Sequence, residues 1–79
     1  MKYHVISAKR LGRKDSLYEY LFFPVNDYSE SDAIAQFQPV EKLTNKYNHI
    51  VPYTAYEYDG DTYHHIIYSG IADESEIND

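Results

Sequence analysis

The side chains able to do chemistry in this 79-residue chain are four histidines, six serines, thirteen carboxylates and ten tyrosines; cysteine and tryptophan are missing. The lack of cysteine removes thiol catalysis, zinc–cysteine sites and a disulfide framework together. His64 and His65 are adjacent, and on a strand they point to opposite faces, so a metal site would need His4, His49 or a carboxylate to complete it. Asp59-Gly60-Asp61 has the start of a calcium loop, but Tyr63 occupies the next ligand position and the closing glutamate is missing. No serine sits in a nucleophile elbow, and three glycines build no phosphate cradle. His65 with Glu57 or Asp61 is the remaining acid–base pair, and a chain this short cannot wall it off from water. The expectation is no enzyme, no metal and no cofactor.

Binding chemistry is what remains. Residues 1–14 carry Lys2, Lys9, Arg10, Arg13 and Lys14 without an acid, whereas from Tyr47 onward there are seven acids and no Lys or Arg. The formal net charge of −6 opposes nucleic acid as the main partner and favours a protein with a basic surface. Tyr56, Glu57, Tyr58, Asp59, Asp61 and Tyr63 surround one turn, and Asp73, Glu74 and Glu76 follow in the tail. Carboxylates on a rigid sheet can stand in for phosphates, and tyrosines give large contact area for little side-chain entropy. The plainer alternative is a solvated acidic surface with turn-formers in a turn. Against it, a surface kept only for solubility mixes its signs. Tyr3, Tyr18, Tyr53 and Tyr68 read as core fillers, while Tyr20, Tyr28, Tyr56, Tyr58 and Tyr63 exceed what one thin core uses. Lys9, Arg10, Arg13 and Lys14 form a second, basic patch that either grips a phosphate backbone or acidic loop, or keeps a hairpin soluble.

The elements that must position these groups follow from the pattern. Residues 2–10 alternate as a strand, with Tyr3, Val5 and Ser7 on one face and His4, Ile6 and Ala8 on the other. A charged turn containing Gly12 leads to a second strand over residues 17–25, giving an antiparallel hairpin with a basic tip. Ser29 is placed to cap a helix, with Glu30 and Asp32 in its first turn. Ala33, Ile34, Phe37, Val40, Leu43 and Tyr47 then recur at spacings of three and four. Pro39 lies inside this stripe, so either the helix kinks or two short helices meet there; the unbroken phase predicts a kink. Residues 50–58 and 61–69 flank Asp59-Gly60, a type I′ hairpin signal whose register opposes Tyr58 to Asp61 and Tyr56 to Tyr63. Tyr56, Tyr58, Tyr63 and His65 then share one face, expected as an exposed platform, and Val51, Tyr53, Ala55, Ile66 and Tyr68 the other, expected as core. Pro52 marks the third strand as an edge.

The order expected is ββαββ, an α+β fold in which a small antiparallel sheet of two hairpins carries one kinked helix. Residues 1–70 form a single domain with a thin core, and residues 71–79 an acidic, flexible tail. No apolar run approaches a membrane span, and the first residues enter a strand pattern instead of a signal-peptide one, which predicts a cytoplasmic protein.

In length, acid excess and the stretches Glu57-Tyr-Asp-Gly-Asp-Thr-Tyr63 and Asp73-Glu-Ser-Glu76, the chain resembles the small acidic proteins that bacteriophages make against host defence, such as anti-CRISPR and anti-restriction proteins. The resemblance is compositional. It implies a stoichiometric inhibitor in the host cytoplasm that blocks a nucleic-acid-binding surface of its target through the acidic, tyrosine-rich face. A nucleic-acid-binding module using the basic tip and a structural or assembly subunit are the alternatives, and a homodimer stays open.

Overall fold

The structure is a computed structural model that describes residues 1–11, 18–40 and 55–77. Their elements run β1 (Lys2–Arg10), β2 (Tyr18–Pro24), α1 (Glu30–Ile34), β3 (Gln38–Val40), β4 (Ala55–Tyr58), β5 (Asp61–Asp73) and α2 (Glu74–Ile77). The strands form one antiparallel sheet in the order β2-β1-β5-β4-β3. Both expected hairpins are present. β1 and β2 pair from Tyr3 with Pro24 to Lys9 with Tyr18, and β4 pairs with β5 in the register that Asp59-Gly60 requires, Tyr56 with Tyr63 and Tyr58 with Asp61. Asp59 and Gly60 both take positive φ, 51° and 82°, as a type I′ turn demands.

The expected order of elements is incomplete and the kinked helix is corrected. Ser29 accepts from the Asp32 N–H at 3.1 Å, as a cap should, but α1 stops after Ile34. Two tight turns follow, from Gln36 N–H to the Ala33 carbonyl and from Phe37 N–H to the Ile34 carbonyl, and the chain enters β3. Proline disfavours helical geometry in the residue before it, here Gln38, and has no N–H to offer a ladder. On the three-residue edge strand β3, where Pro39 opposes Tyr56, neither property costs anything. Leu43, Tyr47 and Pro52 lie outside the described residues.

The face expected as an exposed tyrosine platform is the core. Ile6, Ala8, Phe23, Ala33, Phe37 and Tyr63 form the buried cluster, and Tyr56, Tyr58, Ile66 and Tyr68 pack against it. Tyr63 is only 3% exposed. The Tyr58 ring lies 5.5 Å from Phe23 and 5.1 Å from Phe37, and burial raises its phenol pKa, with Asp59 adding to the shift. Two features explain the reversal. Ala33 and Phe37 come down on the side that carries Tyr56 and Tyr58, and β5 is not a regular strand. Its register against β1 slips once between Ser7 and Lys9 and again between Val5 and Ile6. His65, at φ 54°, sits in the first slip and Gly70, at φ 115°, in the second. The bulge at His65 shifts the alternation by one residue, so Ile66 and Tyr68 join Tyr63 on the same face. Ala55 is buried on the other face; Val51 and Tyr53 lie outside the described residues.

One buried polar group ties the core to its cover. The Tyr28 carbonyl can only accept, so His4 Nε2 donates to it at 2.8 Å and Nδ1 accepts from the Tyr68 hydroxyl at 2.9 Å. This bridges β1, β5 and the turn before α1. The boundary expected at residue 70 falls inside β5: Ile71, Ala72 and Asp73 pair with His4, Tyr3 and Lys2. Glu74–Ile77 then form one helical turn. Among the described residues no helix is long and apolar enough to cross a membrane.

Candidate functional site

The two sides of the sheet are unequal. β1 and β2 direct His4, Ile6, Ala8, Leu21 and Phe23 toward α1, and by strand alternation Tyr3, Val5, Ser7, Lys9, Tyr18, Tyr20 and Phe22 lie on the opposite face. Ile67 and Ser69 join that second face from β5, with Ile67 opposite Ser7 and the hydroxyls of Ser7 and Ser69 in contact. Among the described residues only α2 approaches it, and only at one end, where Tyr3, Phe22, Glu74 and Ile77 line a shallow depression of about 230 Å³. Tyr20 remains 59% exposed, Phe22 41% and Ile67 50%. The Tyr3 and Phe22 rings meet edge to face at 6.3 Å, and the Lys9 ammonium stands 4.9 Å above the Tyr18 ring. Val5, Ser7 and Ala55 are buried on this side, and its exposed part, the apolar and aromatic strip of Tyr18, Tyr20, Phe22 and Ile67, is the candidate site.

The residues singled out from the sequence are distributed differently. Tyr56, Tyr58 and Tyr63 serve the core. Glu57, exposed, points to the open face because it opposes Gln38 and flanks the inward Tyr56 and Tyr58. Asp59 is exposed in the turn. Asp61 is occupied: its carboxylate lies 3.4 Å from the Arg10 guanidinium, which also meets Glu19 at 3.2 Å and the Tyr63 hydroxyl at 3.4 Å. Charge separation along the sequence is therefore not separation in space. The basic end of β1 and the acidic β4–β5 turn lie side by side, joined by the Leu11 N–H to the Thr62 carbonyl at 2.9 Å. Arg13 and Lys14 lie outside the described residues. Asp73, Glu74 and Glu76 are at the other end of β5, twelve residues from Asp61 and so roughly 35–40 Å away. Asp73 caps α2: the Ser75 N–H and hydroxyl both donate to its Oδ1 at 3.2 Å, and these bonds hold its carboxyl below the usual range. The acids thus frame the open face from two ends instead of forming one patch.

The signal for Tyr20 was in its surplus over core needs. Phe22 and Ile67 carried no such mark, because an apolar residue on a strand reads as core until the helix is placed.

His64 and His65 also depart from strict alternation. The bulge brings their rings to 4.8 Å, edge to face. Burial, followed by the neighbouring His65 and Lys9, depresses the His64 pKa below 6.5. The unfolded chain therefore binds this proton more readily than the folded one. Its contribution to stability is complete above pH 6.5 and is lost as pH falls from there toward the depressed folded value. We expect the urea midpoint of His64→Gln to fall less than that of the wild-type chain as the buffer is acidified through this window. Parallel profiles would remove His64 as the cause.

No family model, curated protein or solved structure matches the chain.

Proposed function

We propose that this protein is a non-enzymatic binding module that docks a partner protein on the open face of its sheet. The observation that carries the reading is the exposed group Tyr20, Phe22 and Ile67, an apolar centre on a rigid sheet. Its ends are acidic, with Glu57 and Asp59 toward one and Glu74 and Glu76 toward the other. Such a surface complements an apolar patch with a basic rim. The depression beside Glu74 suits one long basic side chain, its stem against Tyr3, Phe22 and Ile77 and its charge at the carboxylate. If the partner's basic rim is the surface with which it grips nucleic acid, docking excludes that nucleic acid, and the module acts as a stoichiometric inhibitor in the host cytoplasm.

The test is capture from a native host extract followed by titration of the purified partner. Ile67→Lys should weaken binding by about 1–3 kcal/mol, fivefold or more, and Glu57→Lys/Asp59→Lys should reduce its salt dependence. Full affinity in Ile67→Lys would remove the open face from the interface.

One observation favours a second reading, a module for single-stranded nucleic acid. Lys9 shares a face with Tyr18, Tyr20 and Phe22, and rings beside a cation are what unpaired bases stack on. Retardation of short single strands at low salt, lost in Tyr20→Ser, would replace the protein-docking reading with this one.

A further inference from the structure

We infer that the outer edge of β2 is a self-complementary interface that pairs with β2 of a second copy of this chain. The inference concerns the edge of the sheet and goes beyond the docking proposed for its face.

The Val25 N–H donates to the Lys2 carbonyl at 3.0 Å, and the β1–β2 register continues from there without a slip. In an antiparallel pair, hydrogen-bonded and non-hydrogen-bonded positions alternate. Val25, Phe23, Leu21 and Glu19 therefore turn their backbone groups toward β1. Phe22, Tyr20 and Tyr18 turn theirs outward, where no strand lies among the described residues. Pro24 closes this free stretch: it has no N–H, and its carbonyl is taken by the N–H groups of Asp27 and Tyr28.

The two edges of the sheet are treated differently. β3, described over Gln38–Val40, carries Pro39, a usual means of discouraging edge pairing. β2 is seven residues long, with Glu19 its one charge. That charge is matched inside the same chain by Arg10 at 3.2 Å. Among the described residues the edge is extended, electrically neutral and unprotected across Tyr18, Tyr20 and Phe22.

Symmetry selects the register. A two-fold axis through Tyr20 makes the pairing antiparallel and sets Tyr20 opposite its own copy and Tyr18 opposite the second copy's Phe22. Each of these pairs joins two outward-facing positions, so each can exchange two backbone hydrogen bonds. On the open face rings then meet rings, which are favourable cross-strand pairs. On the other face Glu19 meets Leu21. An axis at Leu21 would set Tyr18 against Pro24 and waste a donor, and one at Glu19 would oppose two carboxylates. Of these three registers the Tyr20 one alone lacks a defect, and it joins the two open faces into one continuous surface.

The test is sedimentation equilibrium of the full chain over a rising concentration series. The average mass should climb from 9.3 kDa toward twice that value. Association should tighten with added salt, because each copy carries −6, whereas docking to a basic partner weakens with salt. Tyr20→Lys and Tyr20→Glu each set like charges face to face at the axis. Each alone should raise the dimer dissociation constant about tenfold or more, and an equimolar mixture of the two should restore association. Ile67→Lys, two strands away, should leave the constant unchanged. A 9.3 kDa species at every concentration overturns the inference, as do dimers that survive Tyr20→Lys or a mixture that fails to recover. Loss of the dimer in Ile67→Lys also overturns it, by moving the contact from the edge to the face.

Discussion

Ile6→Ala is expected to remove about 4 kcal/mol of stability, enough to leave much of the protein unfolded in plain buffer. Ile6 has no exposed surface, and its strand is hydrogen-bonded on both sides, with Leu21 opposite it on β2 and Tyr68 opposite it on β5. The cost of removing a buried side chain depends on how far its surroundings can close over the gap. Here two ladders fix the backbone to left and right, so the space stays open and the loss falls toward the upper end of the usual range. A chain of 79 residues has roughly 3–5 kcal/mol to lose. Far-UV circular dichroism across a urea series measures the effect. Ile6→Val, costing about 1 kcal/mol, should give a complete folded baseline, and Ile6→Ala should not. A folded baseline for Ile6→Ala would show that β2 or β5 moves in, and that β1 is less firmly held than its register implies.

The parts of this fold that were legible in the sequence are those set by local chemistry. Asp59-Gly60 needs positive φ at two positions and two strands of matching register, and the structure has all three. Ser29 caps a helix because an acceptor three residues before a free N–H does so in any fold. The β1–β2 hairpin follows from an alternating run, an apolar and aromatic run and the charged turn between them. What escaped depends on contacts distant in sequence. The spacing of Ala33, Phe37 and Val40 suits a helix, but the short α1 and the turns after it bring Phe37 into the core just as well, and Pro39 decides against continuing.

The candidate site was harder still, for the same reason. Both faces of the last hairpin carry rings, and only the position of α1 determines which is buried. Once Ala33 and Phe37 cover Tyr56, Tyr58 and Tyr63, the exposed rings must belong to β2, and Tyr20 and Phe22 take the role first assigned to the other hairpin. The bulge at His65 compounds this. A one-residue shift in β5 exchanges the faces of residues 66–69 before the second slip at Gly70 restores the phase, and no residue type at 64–66 announces it.

Phe23→Ala separates two ways in which this small domain can come apart. The ring is nearly buried and meets Tyr28 at 5.3 Å, Tyr58 at 5.5 Å and Phe37 at 6.4 Å, each edge to face. Removing it forfeits about 3–5 kcal/mol, and the edge-to-face ring pairs lost with it add to what area burial alone would give. Unlike β1, β2 is bonded on one side only among the described residues and can settle inward, which recovers part of the loss. The other part is local. Tyr28 and Phe37 bracket α1, and with their common contact gone the helix keeps Ala33 as its buried anchor. Amide exchange should therefore rise more at Ala33 and Ala35, whose N–H groups bond within α1, than at Val5 or Ile6 in the centre of the sheet. In Ile6→Val, which stays folded, the increase should be uniform, because that loss acts through global unfolding. Equal protection factors throughout Phe23→Ala would mean that α1 and the sheet open as one unit and that the aromatic bracket is not what holds the helix down.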